Sequence, residues 1–367
     1  MPQILFIGGT GHVGGAVLHK ILEQHADDVQ VKVLVRGEEK ASRLVSKYPR
    51  VQTVLGDLTD YKILEEASSQ ADIVINAGPD ITHNLGISAI LRGLKARKEG
   101  SAGSQTPFYI HTSGASLIWD EPEGSKEAKW WDDIADIPEL CSLEEKHTHA
   151  VTDRIVREGA KDVNVAIVSP GFVSGMSPSI EHPTPITTPA ILTTARAFKS
   201  GFLIAQGENT HAWIHVMDLA RIFMILVDDA LATVVGKPIK RDADVLPLWG
   251  PEAYYFSTGE DISFADFMKG LVPVLKQHGV IESTETKSVN VTEAARISLA
   301  GPDGEYDPLA APPPPDSWAM HIAIMYGVNM KIRGSRVEKL GWKPTSKVVD
   351  TFSEVVSEFL LREKRNA

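Results

Sequence analysis

The sequence predicts an α/β fold: a doubly wound parallel sheet, followed by a smaller and less regular C-terminal portion. Three observations carry this. Short β-branched runs alternate with helically spaced stretches from the N-terminus to about residue 170. The intervals between runs are long enough for a helix, which is what joins parallel neighbours in one sheet. After Pro170 the alternation breaks down. Strands are predicted at Gln3–Ile7, Val31–Val35, Val51–Leu55, Ile73–Asn76, Phe108–His111 and Val163–Val168. In the first intervening stretch Val13, Val17 and Ile21 share a face, as do Leu18 and Leu22, so it reads as an amphipathic helix. Further on come a Pro/Ser/Thr-rich segment (Ser177–Pro189), a helix around Ala190–Lys199 and an amphipathic helix from near Met217 that returns to the sheet. A strand-like run at Tyr254–Ser257 and a helix from Phe264 to about Gln277 follow. Residues 301–316, with Pro312–Pro315, read as an irregular surface insertion, and a last helix shows Val349, Phe352, Val356 and Phe359 on one face.

The 367 residues are 43% apolar and 23% charged, ordinary for a globular protein, and carry a net charge of −11. Such a balance gives no general attraction for nucleic acid or anionic lipid, so a phosphate-bearing ligand needs a local site. Ile4–Ile7 stops at glycines and reads as a first strand rather than a targeting peptide, and Ile222–Val227 is far too short to span a bilayer. The single cysteine, Cys141, has no disulfide partner, which suits a reducing, cytoplasmic setting. The expected partner is a small-molecule substrate, with no nucleic acid and no membrane, and the chain is expected as a monomer or homodimer.

Gly8-Gly9-Thr10-Gly11-His12-Val13-Gly14 follows the first strand and opens a helix. Glycine is needed where the chain turns sharply, where backbone approaches a pyrophosphate, and where helix and strand pack closely. The helix N-terminus then offers free N–H groups and a positive dipole end. In this strand–turn–helix context the pattern predicts a Rossmann-type dinucleotide-binding unit, with Gly8, Thr10, Gly11, His12, Val13 and Gly14 against the cofactor. Arg36 closes the second strand, where an NAD-specific protein places an acidic residue; Lys40 and Arg43 follow. A guanidinium there suits the 2′-phosphate, so NADP is the expected cofactor, with NAD possible. Gly56-Asp57-Leu58 is placed to border the adenine, and Ala77-Gly78-Pro79 to pass close to the adenosine half.

These motifs, with His111-Thr112-Ser113-Gly114, Ser169-Pro170-Gly171-Phe172-Val173, Trp213–Ala220 and Leu340-Gly341-Trp342-Lys343-Pro344, make the chain resemble the extended short-chain dehydrogenase/reductases. These are NAD(P)-dependent, epimerase/dehydratase-like proteins, and the resemblance runs almost end to end. It implies that Ser113 is the active-site hydroxyl that holds the substrate oxygen, with Thr112 beside it. It also implies that Pro170, Gly171, Phe172 and Val173 meet the nicotinamide end, and that His215 and Asp218 brace the substrate region. It implies a nucleotide-binding domain at 1–175 with 211–245 returning to it, a substrate-binding portion at 176–210 and 246–345, and a C-terminal helix at 346–367.

The departure lies in the proton-transfer pair of that family, Tyr-x-x-x-Lys on the helix after the fifth strand. Aligned on Asp153-Arg154-Ile155-Val156, the tyrosine position falls near Glu145 and the lysine position near His149. A histidine near pKa 6.5 can move a proton at neutral pH, which makes His147 and His149 candidates; Lys146 is placed to reach the ribose, or the whole turn simply faces water. Two apart on a helix, the histidines face different sides, and no metal site is expected. The insertion Trp119–Leu143 carries Trp119, Trp130 and Trp131, and Trp119 is expected in the wall of an apolar substrate pocket or in a surface lid. Ser169–Pro189 has no arginine or lysine for a second diphosphate, although Arg333 and Arg336 could supply one. The sequence thus points to an NADP(H)-dependent oxidoreductase acting on a small, largely apolar carbonyl or enone. The alternatives are an NmrA-like NADP-sensing regulator without turnover, and a non-redox isomerase, lyase or cyclase that retains the cofactor.

Overall fold

The computed structural model describes residues 1–100, 105–241, 246–300 and 305–366. Positions 242–245, in the returning segment, and 301–304, in the irregular insertion, lie outside the described residues. The first half alternates as the spacing predicts: β1 (Gln3–Ile7), α1 (His12–His25), β2 (Gln30–Val35), α2 (Glu38–Lys47), β3 (Gln52–Leu55), α3 (Tyr61–Ser69), β4 (Ile73–Asn76), α4 (Asn84–Gly100) and β5 (Phe108–Thr112). The insertion follows, with β6 (Trp131–Asp132) and α5 (Ile137–Leu140), then α6 (Ala150–Gly159), β7 (Asn164–Pro170), β8 (Phe172–Ser174), α7 (Thr187–Phe198), β9 (Gly201–Ile204), β10 (Thr210–His215) and α8 (Val216–Val234). The remainder is β11 (Tyr254–Ser257), β12 (Glu260–Ser263), α9 (Phe264–Gln277), β13 (Thr286–Val289), α10 (Val291–Ile297), α11 (Trp318–Met325), β14 (Ile332–Arg333), α12 (Ser335–Lys339) and α13 (Phe352–Asn366).

Among the described residues, seven strands form one parallel sheet in the order β11-β7-β5-β4-β1-β2-β3. The chain winds one way from β1 through β3 and the other way from β4 onward. That reversal opens a crevice at the carboxyl ends of β1 and β4, the place where open α/β sheets bind ligands. One apolar layer under the sheet is built from α1 and α8, which pack on each other, with Val17, Ile21, Phe223 and Val227 fully buried. The other layer joins the sheet to the C-terminal portion through Tyr109, Phe202, Phe264, Phe267 and Tyr326. The return through α8 is fixed at its start: the His215 Nδ1 accepts from Met217 N at 3.1 Å, and Asp218 accepts from Arg221, Thr345 and Ser346. Those bonds seat the Trp342–Ser346 segment on the first turn of α8. No helix among the described residues is long and apolar enough to cross a membrane.

The structure departs from the sequence expectation at two points. Tyr254–Ser257 is not part of the smaller portion; it is β11, the edge strand of the large sheet, with Tyr254, Tyr255 and Phe256 buried because the run is apolar on both faces. The helix after β5 starts later than the histidines. Glu144–Thr148 lie in turns, and His149 stands just before α6 with a left-handed φ of 69°. Such a φ is uncommon for a non-glycine residue and persists only where the surroundings hold it. Here an ion pair to Asp80 holds it. The insertion is tied down as well: Asn329 donates to Asp120 Oδ2 (2.9 Å) and the Ser125 carbonyl (2.9 Å), and β6 pairs with β14.

Candidate active site

Gly8 ends β1 with φ +79°, and a Cβ there would lie 2.5 Å from the Ala77 carbonyl carbon at the end of β4. A Cβ on Gly14 would collide with the Gly8 carbonyl oxygen. The loop is therefore pressed between β4 and the first turn of α1, and only glycine fits. Gly11 is the N-cap of α1 and no side chain caps that helix, so the first-turn amides of His12 and Val13 are left for an anion. These features fit a dinucleotide pyrophosphate. Asn76 Oδ1 accepts from Gly78 N (3.1 Å), which sets the turn through Ala77-Gly78-Pro79, and Leu58 packs against Gly78. Asp57 accepts from the Thr59 hydroxyl and amide, bonds that hold its carboxyl below the usual range together with the nearby Arg36 charge. Arg36 is exposed at the end of β2 and makes no ion pair among the described residues, whereas Lys40 and Arg43 both face Glu181.

Next along the same sheet edge, the carboxyl ends of β4 and β5 and the start of α6 converge on a buried polar cluster. Asp80, at the end of the turn after β4, accepts from His149 Nδ1 at 2.6 Å and from the Thr152 hydroxyl at 3.0 Å. His111 Nε2 lies 3.5 Å from the same Asp80 oxygen and 4.0 Å from Asp153 Oδ1. On its other side His111 Nδ1 meets the Tyr109 hydroxyl at 3.1 Å, which accepts from Asn76 Nδ2 at 3.0 Å. Asp153, one turn after His149, accepts from the Ser113 hydroxyl at 3.1 Å. His149 also lies against Gly114: a Cβ there would sit 2.7 Å from His149 Nε2. Asp80 thus orients the imidazole through Nδ1, and the opposite nitrogen is presented at Gly114, next in sequence to Ser113.

The electrostatics follow from burial and pairing. Burial by itself would raise the Asp80 carboxyl, but hydrogen bonds and charge from His111 and His149 outweigh it and hold Asp80 far below the usual range. Burial would lower His149, yet the bond and charge of Asp80 raise it above its ordinary value. Asp153 is pushed up to about 6, by burial first and then by the Asp80 charge, against the pull of His111, His149 and Ser113. Asp80, His111 and Asp153 each bring one donor atom within 4.8 Å of the others, the spacing of a metal-ligand set. The Asp80 oxygen, however, already accepts two protein donors, and the cluster reads as a proton network.

Above the cluster lies a cleft of about 690 Å³ bordered by Pro79–Thr82, Glu145–His149, Val151, Thr152, Asp316–Trp318 and His321. His147 lines its rim and His149 its floor, so the two histidines predicted from sequence reach the same space, one partly open and one buried. Lys146 is the only lysine or arginine among the described lining residues, is exposed and pairs with Glu144 at 2.9 Å. One side is aromatic: His321 stacks on Trp318 (5.4 Å, 16°), and behind it, outside the lining, Trp119 lies tilted against His321 (5.0 Å, 31°). Trp119 in turn neighbours Phe172 at 6.3 Å. Trp130 and Trp131 are elsewhere, Trp130 over Arg333 and Trp131 in β6 beneath Lys129. Arg336 donates to the carbonyls of Pro247 and Glu252 and is buried. Pro170 and Gly171 close β7, where a Cβ on Gly171 would strike the Ala212 carbonyl, and Val173 pairs with Ile214. His215 packs against Gly175 at the start of α8. Thr112 keeps a buried hydroxyl without a partner, next to Ser113.

Asp80, Asp153, Thr152, Trp318 and His321 escaped the sequence reading. The His149–Asp153 spacing of four was a signal for one helix face; Asp80 stands directly after the Pro79 already assigned to the cofactor. Trp318 and His321 arrive from an element too distant in sequence for any local pattern to link to Ser113.

The profile of the saccharopine dehydrogenase NADP-binding domain family matches residues 4–93. Oxidase ucsJ from an Acremonium species is 26% identical over 358 residues, spanning 93% of this chain and 92% of that protein. Averufin oxidase A from Dothistroma septosporum is 27% identical over 131 residues, 32% of this chain and 43% of its own length. Among solved structures, dTDP-glucose 4,6-dehydratase from Bacillus anthracis in complex with NAD superposes with a TM-score of 0.63 at 15% identity, covering 99% of this chain and 98% of that one. UDP-glucose 4-epimerase from Thermotoga maritima gives 0.60 at 13% identity, covering 98% and 99%. The fold is that of the extended short-chain dehydrogenase/reductases, epimerase/dehydratase-like, and its first unit is an NAD(P)-binding Rossmann domain. The chain is an NAD(P)-binding enzyme with a function of the oxidoreductase kind.

Proposed function

We propose that the protein is an NADP(H)-dependent oxidoreductase for a small, largely apolar carbonyl or enone, with Ser113 holding the substrate oxygen. The observation that carries this is the Asp80–His149 pair, which turns the imidazole so that Nε2 lies against Gly114, the residue that follows Ser113 after β5. Bound NADPH would supply a hydride to the substrate carbon. The Ser113 hydroxyl, which donates to Asp153 in the free site, would turn its one proton to the substrate oxygen, and His149, whose pKa Asp80 raises, would give its proton to that oxygen as charge develops there. Run in reverse, the same groups oxidise an alcohol, so either direction suits the site. The aromatic side formed by Trp318 and His321, with Trp119 behind His321 and Lys146 the only lysine or arginine among the described lining residues, favours an apolar substrate over a nucleotide sugar, whose diphosphate needs basic partners. With one half-buried cysteine and no need of an oxidising compartment, the protein is assigned to the cytoplasm, as a monomer or homodimer.

The cofactor assignment rests on the exposed, unpaired Arg36 at the ribose end. Calorimetric titration should show NADPH binding tighter than NADH by about 1–3 kcal/mol, the scale of hydrogen bonds to charged groups. Arg36→Ala should remove most of that preference. Equal affinities in the unaltered protein would overturn the NADP assignment.

A further inference from the structure

Residues 177–183 form a loop built onto the cofactor-binding turn. Ser177 N donates to the Pro183 carbonyl (2.8 Å) and closes the loop. The Ser177 hydroxyl donates to the His12 carbonyl (2.6 Å) and the Ser179 hydroxyl to that of Thr10 (2.7 Å). Ser179 Oγ accepts from Glu181 N (3.3 Å) and His182 N (3.1 Å), and Ser179 packs so closely on α1 that a Cβ on Gly15 would come within 2.6 Å of it. Positioned this way, the Glu181 carboxylate reaches α2, 2.8 Å from an Arg43 guanidinium nitrogen and 3.8 Å from Lys40 Nζ. Its own carbonyl accepts from Arg362 of α13 at 3.2 Å. The Glu181 side chain is only 13% exposed, so water screens the pairs less than at an open surface. Of Arg36, Lys40 and Arg43, the last two therefore already face Glu181, from a loop fastened to the glycine turn, and Arg43 also pairs with Glu39 of its own helix at 3.0 Å.

We propose that Glu181 sets the selectivity between NADPH and NADH, its carboxylate competing with the ribose 2′-phosphate for Lys40 and Arg43. This rests on the NADP reading of Arg36. The 2′-phosphate brings about two negative charges to a place where Glu181 already supplies one, so NADPH must displace or share the cations, whereas NADH leaves the pairs intact. Glu181 thereby lowers affinity for the phosphorylated cofactor alone. The bonds from Ser177 and Ser179 to Thr10 and His12 keep the competitor in place over the same turn that receives the pyrophosphate.

Calorimetry on the full chain with NADPH and NADH tests this in Glu181→Gln, which keeps the shape and removes the charge. NADPH affinity should rise about fivefold, the scale of a partly screened ion pair, while NADH affinity stays unchanged. In an Arg43→Gln, Lys40→Gln background the same substitution should give no gain. A thermal melt of each variant controls for loss of folding. A fall in NADPH affinity in Glu181→Gln, or an equal shift for both cofactors, would overturn the proposal and make Glu181 a structural anchor. If the unaltered protein prefers NADPH and Glu181→Gln changes nothing, the proposal fails while the NADP reading survives. If the unaltered protein shows no preference but Glu181→Gln creates one, the NADP reading fails and Glu181 is confirmed as the discriminator.

Discussion

Replacing Asp80 with Asn is expected to lower carbonyl reduction by about 10²–10⁴-fold, the usual contribution of a positioned acid–base group. The effect has a pH signature. In the unaltered protein the alkaline limb of the kcat profile lies above the ordinary histidine value of 6.5, because Asp80 holds the proton on His149. Without that carboxylate, burial dominates and pulls His149 below 6.5, so the limb moves to lower pH. His149→Gln should abolish the limb altogether. His147→Gln, at the rim, should leave it in place. Stability carries the same pair. His149 has a raised folded value, so its contribution is complete below 6.5 and is lost as pH rises through that folded value. Asp80 has a depressed one, so its contribution is present above 3.8 and is lost as pH falls through its folded value. Melting temperature should therefore gain most from the pair between those two ordinary values, and Asp80→Asn should flatten that maximum. An unchanged rate profile in both Asp80→Asn and His149→Gln would remove the pair from the chemistry.

Ser113→Ala should cost about 10²–10³ in kcat, the scale for removal of one donor to a developing oxyanion, with NADPH affinity nearly unchanged. The glycine turn and Arg36 bind the far end of the cofactor, which is why affinity is spared. Thr112→Val is the control. Its hydroxyl is buried without a partner, so the near-isosteric change should leave the rate almost intact. A Ser113→Ala enzyme with an unaltered rate, or a Thr112→Val enzyme that loses as much, would move the substrate oxygen away from Ser113. Rates with NADPH saturating and substrate varied measure both.

The glycine turn was legible in the sequence because its constraints are local: Gly8 and Gly14 answer to backbone a few residues away and to the end of β4. The alternation of strands and helices was legible for the same reason. The start of α6 was not. His149 adopts its left-handed turn to meet Asp80, a partner 69 positions earlier, and no helical periodicity encodes that. Glu145, the nominal tyrosine position, is exposed and pairs with Arg154 at 2.7 Å, while His149, the nominal lysine position, is the residue buried between Asp80 and Gly114. Tyr254–Ser257 was misplaced because a short apolar run says that it is buried but not against which sheet. The ion pairs of Lys40 and Arg43 were hidden because Glu181 sits in a Pro/Ser/Thr-rich stretch that has no period to read.

The most direct test follows the hydride. The protein would be incubated with NADPH carrying deuterium at both C4 positions of the nicotinamide and a panel of small apolar ketones and enones, and the products analysed by mass spectrometry. The expected result is one deuterium in the product for each NADPH consumed, at a rate that collapses in Ser113→Ala and His149→Gln. NADPH that binds but delivers no deuterium to any member of the panel would contradict it and favour a cofactor-sensing protein. Substrate conversion with no net change in the cofactor would contradict it in favour of an isomerase, lyase or cyclase.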